Sequence, residues 1–109
     1  MNLDFDVSKI EGFEWDKGNV EKNKKKHNVN PEECEQIFFN MPLILFNDEK
    51  HSGKEERFGA LGKTDKGRKL AIFFTLRKNK IRVISARNQG KGDRVTYDGE
   101  EQKILKKVR

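Results

Sequence analysis

The chain has 109 residues, of which 39% are charged and 33% hydrophobic, and its formal net charge is +6. This length suits one domain with a modest core, so we expect residues 1–109 to form a single domain. The positive charge favours a polyanionic partner, although basic proteins without one share this composition. The single cysteine excludes an internal disulfide and indicates a reducing cytoplasm. We expect the chain not to span a membrane, because no apolar run approaches ~20 residues. We also expect it not to be secreted, because the start MNLDFDVSK lacks an apolar signal region.

The N-terminal part begins with a short edge strand around Phe13, followed by a helix. Asp16 has the position of the helix N-cap, whose carboxylate accepts from the free amides of the first turn. We expect the helix to span 17–26, with Asn28 in the left-handed conformation after its end. The last turn is rich in lysine, and His27 closes it. This positive end is either a solvated surface or, as we favour, a contact for nucleic acid.

The second helix has the clearest local signal in the chain. Asn30 is the predicted N-cap, Pro31 takes the first helical position, and Glu33 completes a capping box. Four apolar residues then recur with helical spacing and predict a stripe that lies on a sheet. They are Cys34, Ile37, Phe38 and Met41. We therefore interpret the cysteine as a buried small hydrophobic residue and not as a nucleophile.

Two strands are predicted before the central hairpin. The apolar run 43–46 favours a strand, and 55–63 alternates weakly and favours another. Between them, 47–54 is polar and contains glycine, which predicts a loop. His51 lies in this loop, and the sequence assigns it no function.

The stretch 69–87 predicts a β-hairpin, because two runs rich in Ile, Phe, Val and Thr flank a polar turn. If residues 78–79 form a two-residue turn, Phe73 lies opposite Ile84 and Thr75 lies opposite Arg82. Strand alternation then predicts which side chains of the second arm share a face. One face would carry Ile81, Val83, Ser85 and Arg87, and the other Arg82, Ile84 and Ala86.

The C-terminal part predicts a short helix and a charged tail. Asp93 has the position of a helix cap, and the helix would carry Arg94 and Tyr97. Residues 98–109 form the tail, which we expect to be weakly helical. No internal repeat or second domain is apparent.

Several kinds of catalytic site are absent from the sequence. The two histidines and one cysteine lack the spacing of zinc ligands, and neither GxxxxGK[ST] nor Gly-x-Ser-x-Gly occurs. The remaining reactive groups are arginines on strands, a histidine at a helix end, the Glu56-Arg57 pair and a tyrosine. Metal-free RNA cleavage needs such groups, since protons must be transferred and cations must stabilise the phosphate charge.

The order of several motifs resembles the BrnT toxins, the ribonuclease components of type II toxin–antitoxin pairs. The similarity runs from about Phe5 to Tyr97. It rests on Phe13-Glu14-Trp15-Asp16-Lys17, Asn23, Lys26-His27, Val29, Glu56-Arg57, Gly62 and Arg82-x-Ile84-Ser85-Ala86-Arg87. The chain departs from the family pattern at Asn28, where a glycine is common, and at Asp93, where glutamate is typical.

The resemblance implies a RelE-like α+β fold: a small antiparallel β-sheet with two N-terminal helices packed on one face and a short C-terminal helix. It also implies RNA cleavage without a metal or other cofactor, inhibition of translation and neutralisation by a BrnA-like antitoxin. Arg57 and Arg87 would bind the phosphate, while His27 or Glu56 would transfer protons, with His27 slightly favoured. Further RNA contacts are expected from Lys26, Arg77, Arg82, Arg94 and Tyr97, although the tyrosine would equally well pack the last helix.

Two other functions are compatible with the same residues. The chain could be a basic module that binds nucleic acid without cleaving it. It could also be an interaction protein whose arginines form surface ion pairs, each worth at most ~1 kcal/mol. RNA cleavage in EDTA and the salt dependence of RNA binding would separate these alternatives.

Overall fold

A computed structural model describes residues 7–107, which form a five-stranded sheet and three α-helices. The strands are β1 (Gly12–Phe13), β2 (Ile44–Asn47), β3 (Phe58–Lys63), β4 (Lys69–Arg77) and β5 (Lys80–Asn88), in the spatial order β1-β5-β4-β3-β2. The helices are α1 (Lys17–His27), α2 (Pro31–Gln36) and α3 (Lys91–Lys107). Only the β1–β5 pair within this part of the chain is parallel, so the α+β class is confirmed. Phe5 and the last two tail residues lie outside the described residues.

The β4–β5 hairpin has the predicted two-residue turn. Arg77 pairs with Lys80, and the turn residues Lys78 and Asn79 have φ angles of 52° and 65°. Positive φ at both positions is what a type I′ turn requires, and its twist matches that of the strands. The turn therefore sets the register at this end of the hairpin.

A β-bulge in β5 overturns the predicted alternation of that strand. Phe73 lies opposite Ser85, whereas the next residue, Phe74, lies opposite Val83, so Ile84 is an extra residue between the two pairs. One extra residue reverses the sides to which the following side chains point. The buried side of β5 is consequently formed by Ile81, Val83 and Ala86. The prediction that Arg87 shares a face with Ile81 and Val83 was wrong.

The main core lies between α2 and one face of the sheet. Cys34 and Ile37 are buried there, as predicted, and the capping box of Asn30 and Glu33 is present. Met41, however, is 71% exposed. The α-helix ends at Gln36 and continues as the 3₁₀ turn Ile37–Phe39, whose tighter winding takes later residues off the apolar stripe.

Helix α1 lies along the outer edge of β5. The short strand β1 pairs with the same edge at Lys80 and Ile81. The buried Asn19 donates from Nδ2 to the carbonyl oxygen of Val83 at 3.2 Å. The buried Asn23 accepts at Oδ1 from the amide of Ala86 at 3.0 Å. These bonds occupy strand-edge groups that would otherwise lack β-sheet partners. Both predicted caps of α1 are also present.

Helix α3 covers one end of the opposite sheet face. Tyr97 is fully buried against Leu61 and Ala71, and its hydroxyl donates to the carbonyl oxygen of Pro42 at 2.7 Å. The helix is continuous, so residues 98–107 belong to it and do not form the weakly helical tail that the sequence suggested. None of the helices within residues 7–107 is both long and apolar enough to cross a membrane.

Candidate functional site: an arginine-rich sheet face

Two arginines from separate parts of the chain contact one aromatic ring on the sheet face opposite the main core. The guanidinium carbon of Arg57 lies 5.5 Å from the centroid of the Phe73 ring, and that of Arg87 lies 5.7 Å from it. Arg57 precedes β3, Phe73 belongs to the central strand β4, and Arg87 belongs to β5. The negative face of an aromatic ring attracts cations. The structure thus brings together the two arginines that the sequence analysis selected for phosphate binding.

Two further arginines lie on the same sheet face, nearer the hairpin turn. Arg82 is opposite Thr75, which alternates with Phe73 along β4, and Arg77 follows two residues after Thr75. The bulge makes this arrangement possible, because five positions separate Arg82 from Arg87 and regular alternation would direct them to opposite faces. We call this surface the arginine face. It comprises Arg57, Phe73, Arg77, Arg82 and Arg87.

Carboxylates hold the two arginines nearest the turn. Arg82 Nη1 lies 2.8 Å from Asp16 Oδ2, and Arg77 forms two hydrogen bonds of 3.0 and 3.1 Å with Glu55. The amide of Asn19 and then Arg82 lower the pKa of Asp16, and the Arg77 hydrogen bond lowers the pKa of Glu55. Both side chains of the Arg77–Glu55 pair are 46% exposed, and pairs this exposed contribute little net stability. A phosphate group could therefore compete with Glu55 for the Arg77 guanidinium group, whereas the Arg82 Nη1 atom is buried.

Asp93 connects Arg87 to the start of α3. Its Oδ2 accepts from Arg87 Nη1 and from the amide of Gly90, both at 3.0 Å. The helix begins at Lys91, so Asp93 is its third residue and not the cap that the sequence suggested. The carboxylate fixes both the arginine and the chain that leads into the helix.

A histidine that the sequence analysis passed over lies next to Arg57. His51 belongs to the 3₁₀ turn Glu49–His51, and its Nδ1 is 3.0 Å from Asp48 Oδ1. The other oxygen of Asp48 is 3.2 Å from Arg57 Nε. The Asp48 side chain is only 10% exposed, whereas that of His51 is 58% exposed. The sequence does show an aspartate three residues before a histidine in a polar loop. This spacing indicates a functional pair only once the structure places Asp48 next to Arg57.

The predicted proton-transfer residues lie elsewhere. Glu56 lines a depression with Phe58, which belongs to the main core, and Leu76, which packs against it. His27 is exposed at the end of α1, and its carbonyl oxygen accepts from Arg68 Nη2 at 3.1 Å. Lys26 is exposed beside it. These two residues lie in the last turn of α1, at the β5 edge of the sheet.

Three other side chains can be assigned from their burial. The Tyr97 ring is fully buried, so it packs α3 and cannot stack on a base, and burial raises its pKa to about 12. Arg94 is exposed on the first part of α3. Burial also raises the pKa of the Cys34 thiol to about 12, which fits a packing residue and not a nucleophile.

Among residues 7–107, no group of three or more His, Cys, Asp or Glu side chains is arranged to hold a metal ion.

The fold and this face together define a class of protein. A small α+β fold presents two guanidinium groups against one aromatic ring, with an imidazole held by a carboxylate that also contacts one of them. Guanidinium forks bind phosphate bidentately, and imidazole exchanges protons near neutral pH. The class is therefore a small basic α+β protein whose exposed groups are those that phosphate binding and proton exchange require.

Comparison with models of protein families identifies the family to which the chain belongs. The model of the family described as "Ribonuclease toxin, BrnT, of type II toxin-antitoxin system" matches residues 15–93, which is most of the chain. The chain therefore belongs to the BrnT family of ribonuclease toxins, as the sequence motifs indicated, and the type II class implies a protein antitoxin as partner. No curated protein matches the chain in a sequence search.

Proposed function

We propose that this protein is an endoribonuclease that cleaves RNA with its own side chains, without a metal ion, and so inhibits translation. The observation that carries the proposal is the contact of Arg57 and Arg87 with the same Phe73 ring. Guanidinium groups that contact the same ring could both bind the oxygens of one phosphodiester. The family supplies the ribonuclease class, and a BrnA-like antitoxin is the proposed partner.

The proposed reaction is an attack by the RNA 2′-hydroxyl on the adjacent phosphorus. Negative charge then grows on the equatorial phosphate oxygens, and cations fixed nearby stabilise it more in the transition state than in the substrate. Arg57 and Arg87 are held for this purpose by Asp48 and Asp93, so little reorganisation is needed when RNA binds.

The remaining basic residues would bind the RNA chain on either side of the cleaved bond. Arg77 and Arg82 extend the arginine face toward the hairpin turn, and Lys26 and His27 lie at the neighbouring sheet edge. Arg94 is exposed on the other side, at the start of α3. Such contacts strengthen binding without sequence preference and weaken as salt rises.

The proposal is tested with purified protein and RNA in EDTA, using Arg57→Ala and Arg87→Ala variants. Removal of one such cation is expected to slow cleavage about 10²- to 10³-fold. Lys103→Ala is the matched control, because it also removes one positive charge but lies on α3 in an exposed pair with Glu100. This control should cleave like the parent.

Expression without antitoxin gives a second measurement. The parent and Lys103→Ala should inhibit growth, and the two arginine variants should not. Equal cleavage by all four proteins would refute the assignment of the site. Salt-sensitive RNA binding by the parent without any cleavage would instead identify a non-catalytic nucleic-acid-binding module.

A further inference from the structure

The 3₁₀ turn between β2 and β3 carries a histidine in an arrangement typical of acid–base catalysis. Asp48 contacts His51 through one carboxylate oxygen, at 3.0 Å, and Arg57 through the other, at 3.2 Å. A single carboxylate therefore separates the imidazole from an arginine that packs on Phe73. We infer that His51 is the general base of the RNA cleavage reaction and that Asp48 positions it. This inference rests on the proposed function and adds the residue that transfers the proton.

The contact with Asp48 decides which nitrogen of the imidazole can act. An aspartate acceptor at Nδ1 favours the tautomer with hydrogen on Nδ1, and Nε2 then has the lone pair that accepts a proton. The mostly buried carboxylate restrains the ring, whereas the half-exposed imidazole can reach a bound chain. The same carboxylate lies at Arg57 Nε, which leaves the two terminal nitrogens of the guanidinium for phosphate oxygens.

The other candidates for this step are less well placed. Glu56 precedes β3 and lines a depression with Phe58 and Leu76. His27 ends α1 at the edge of β5, where Arg68 binds its carbonyl oxygen. Asp48, by contrast, connects His51 directly to Arg57.

In the proposed step, proton transfer accompanies bond formation and bond cleavage at phosphorus. His51 Nε2 takes the proton of the 2′-hydroxyl while the 2′-oxygen forms a bond to phosphorus and the bond from phosphorus to the 5′-oxygen breaks. The leaving 5′-oxygen takes a proton from water, and the imidazolium later returns its proton to solvent. The products are a 2′,3′-cyclic phosphate and a 5′-hydroxyl end, with no oxidation or reduction.

The test compares His51→Ala, His51→Gly and His27→Ala with the parent in single-turnover RNA cleavage in EDTA. His51→Ala should be about 10²- to 10⁴-fold slower, which is the usual contribution of a general base. Lys50→Ala, on the same 3₁₀ turn, is the control and should keep the parental rate. Binding to RNA is measured separately and should change little in His51→Ala, His51→Gly and Lys50→Ala.

Two readouts distinguish proton transfer from a structural effect. Added imidazole should partly restore cleavage by His51→Gly, since it can occupy the vacated space and accept the proton. The parental rate should also rise with pH as a histidine loses its proton, and this rise should be absent from His51→Ala. Asp48 is hydrogen-bonded to the ring and also contacts Arg57, so Asp48→Asn should have a rate between those of the parent and His51→Ala.

The outcomes separate the inference from the proposed function. If the parent cleaves and His51→Ala cleaves equally fast with an unchanged pH profile, His51 is not the base and the nuclease proposal stands. If His27→Ala alone loses activity and regains it with imidazole, the base is His27. If the parent does not cleave RNA while its arginine face still binds it, the proposed function itself has failed.

Discussion

The edge of β5 offers the most direct test of how this fold is held together. Asn23 is 3% exposed, and its Oδ1 accepts the amide hydrogen of Ala86 at 3.0 Å in a buried position. In Asn23→Ala, this donor loses its partner and water cannot easily replace it. An unsatisfied buried donor costs about 1–3 kcal/mol. The second bond of Asn23, from Nδ2 to the Asn19 carbonyl oxygen, adds less because that oxygen lies within the helix.

Urea unfolding and thermal melting of the purified variant measure this loss. For a domain of this size, 1–3 kcal/mol corresponds to a fall in Tm on the order of 5–20 °C. Lys25→Ala, at an exposed position of the same helix, is the control and should stay within about 0.5 kcal/mol of the parent. Hydrogen exchange of the Ala86 amide adds a local readout and should accelerate in Asn23→Ala. A variant as stable as the control, with unchanged exchange at Ala86, would show that this bond does not hold α1 on the sheet.

Three further predictions concern burial and charge. Tyr97→Phe keeps the packing of α3 but leaves the Pro42 carbonyl oxygen without its 2.7 Å donor, so unfolding free energy should fall by about 1 kcal/mol in urea titrations. Cys34 should not react with thiol reagents at pH 8 until the protein is unfolded, because burial raises its pKa to about 12; rapid native-state labelling would contradict this. The lowered pKa of Asp16 means that its stabilising effect is present above the unfolded pKa near 3.8 and is lost as pH falls through the lower folded pKa. Asp16→Asn should therefore reduce the loss of stability on acidification in this range, and an identical acid profile would refute the assignment.

The sequence predicted well those features that depend on a few neighbouring residues. The caps at Asp16 and Asn30 and the left-handed Asn28 were all identifiable, because capping groups act within about four residues of one another. The hairpin turn at 78–79 followed from the polar residues between two strand-like runs. The family motifs gave the ribonuclease class directly.

The arrangement of the site was less accessible to sequence reasoning. The selection of Arg57 and Arg87 came from the resemblance, and their shared contact with Phe73 follows from the strand order, which places β4 between β3 and β5. Glu56 was selected together with Arg57 as part of the family motif, but it precedes β3 and lines a depression with Phe58 and Leu76. His51 received no function because its partner Asp48 meets Arg57 only when β2 and β3 pair.

By itself, the sequence determined the α+β composition, the helix ends, the hairpin turn and the family. Tertiary structure decided which side chains share the arginine face. The bulge at Ile84 appears only when Ile81, Val83 and Ala86 pack together in the main core, and this one extra residue brings Arg82 and Arg87 to the same side. Local sequence signals fix the backbone conformation of caps and turns. The face to which a strand residue points depends on the register of the whole strand and on any bulge before it, and both are set by packing in the core.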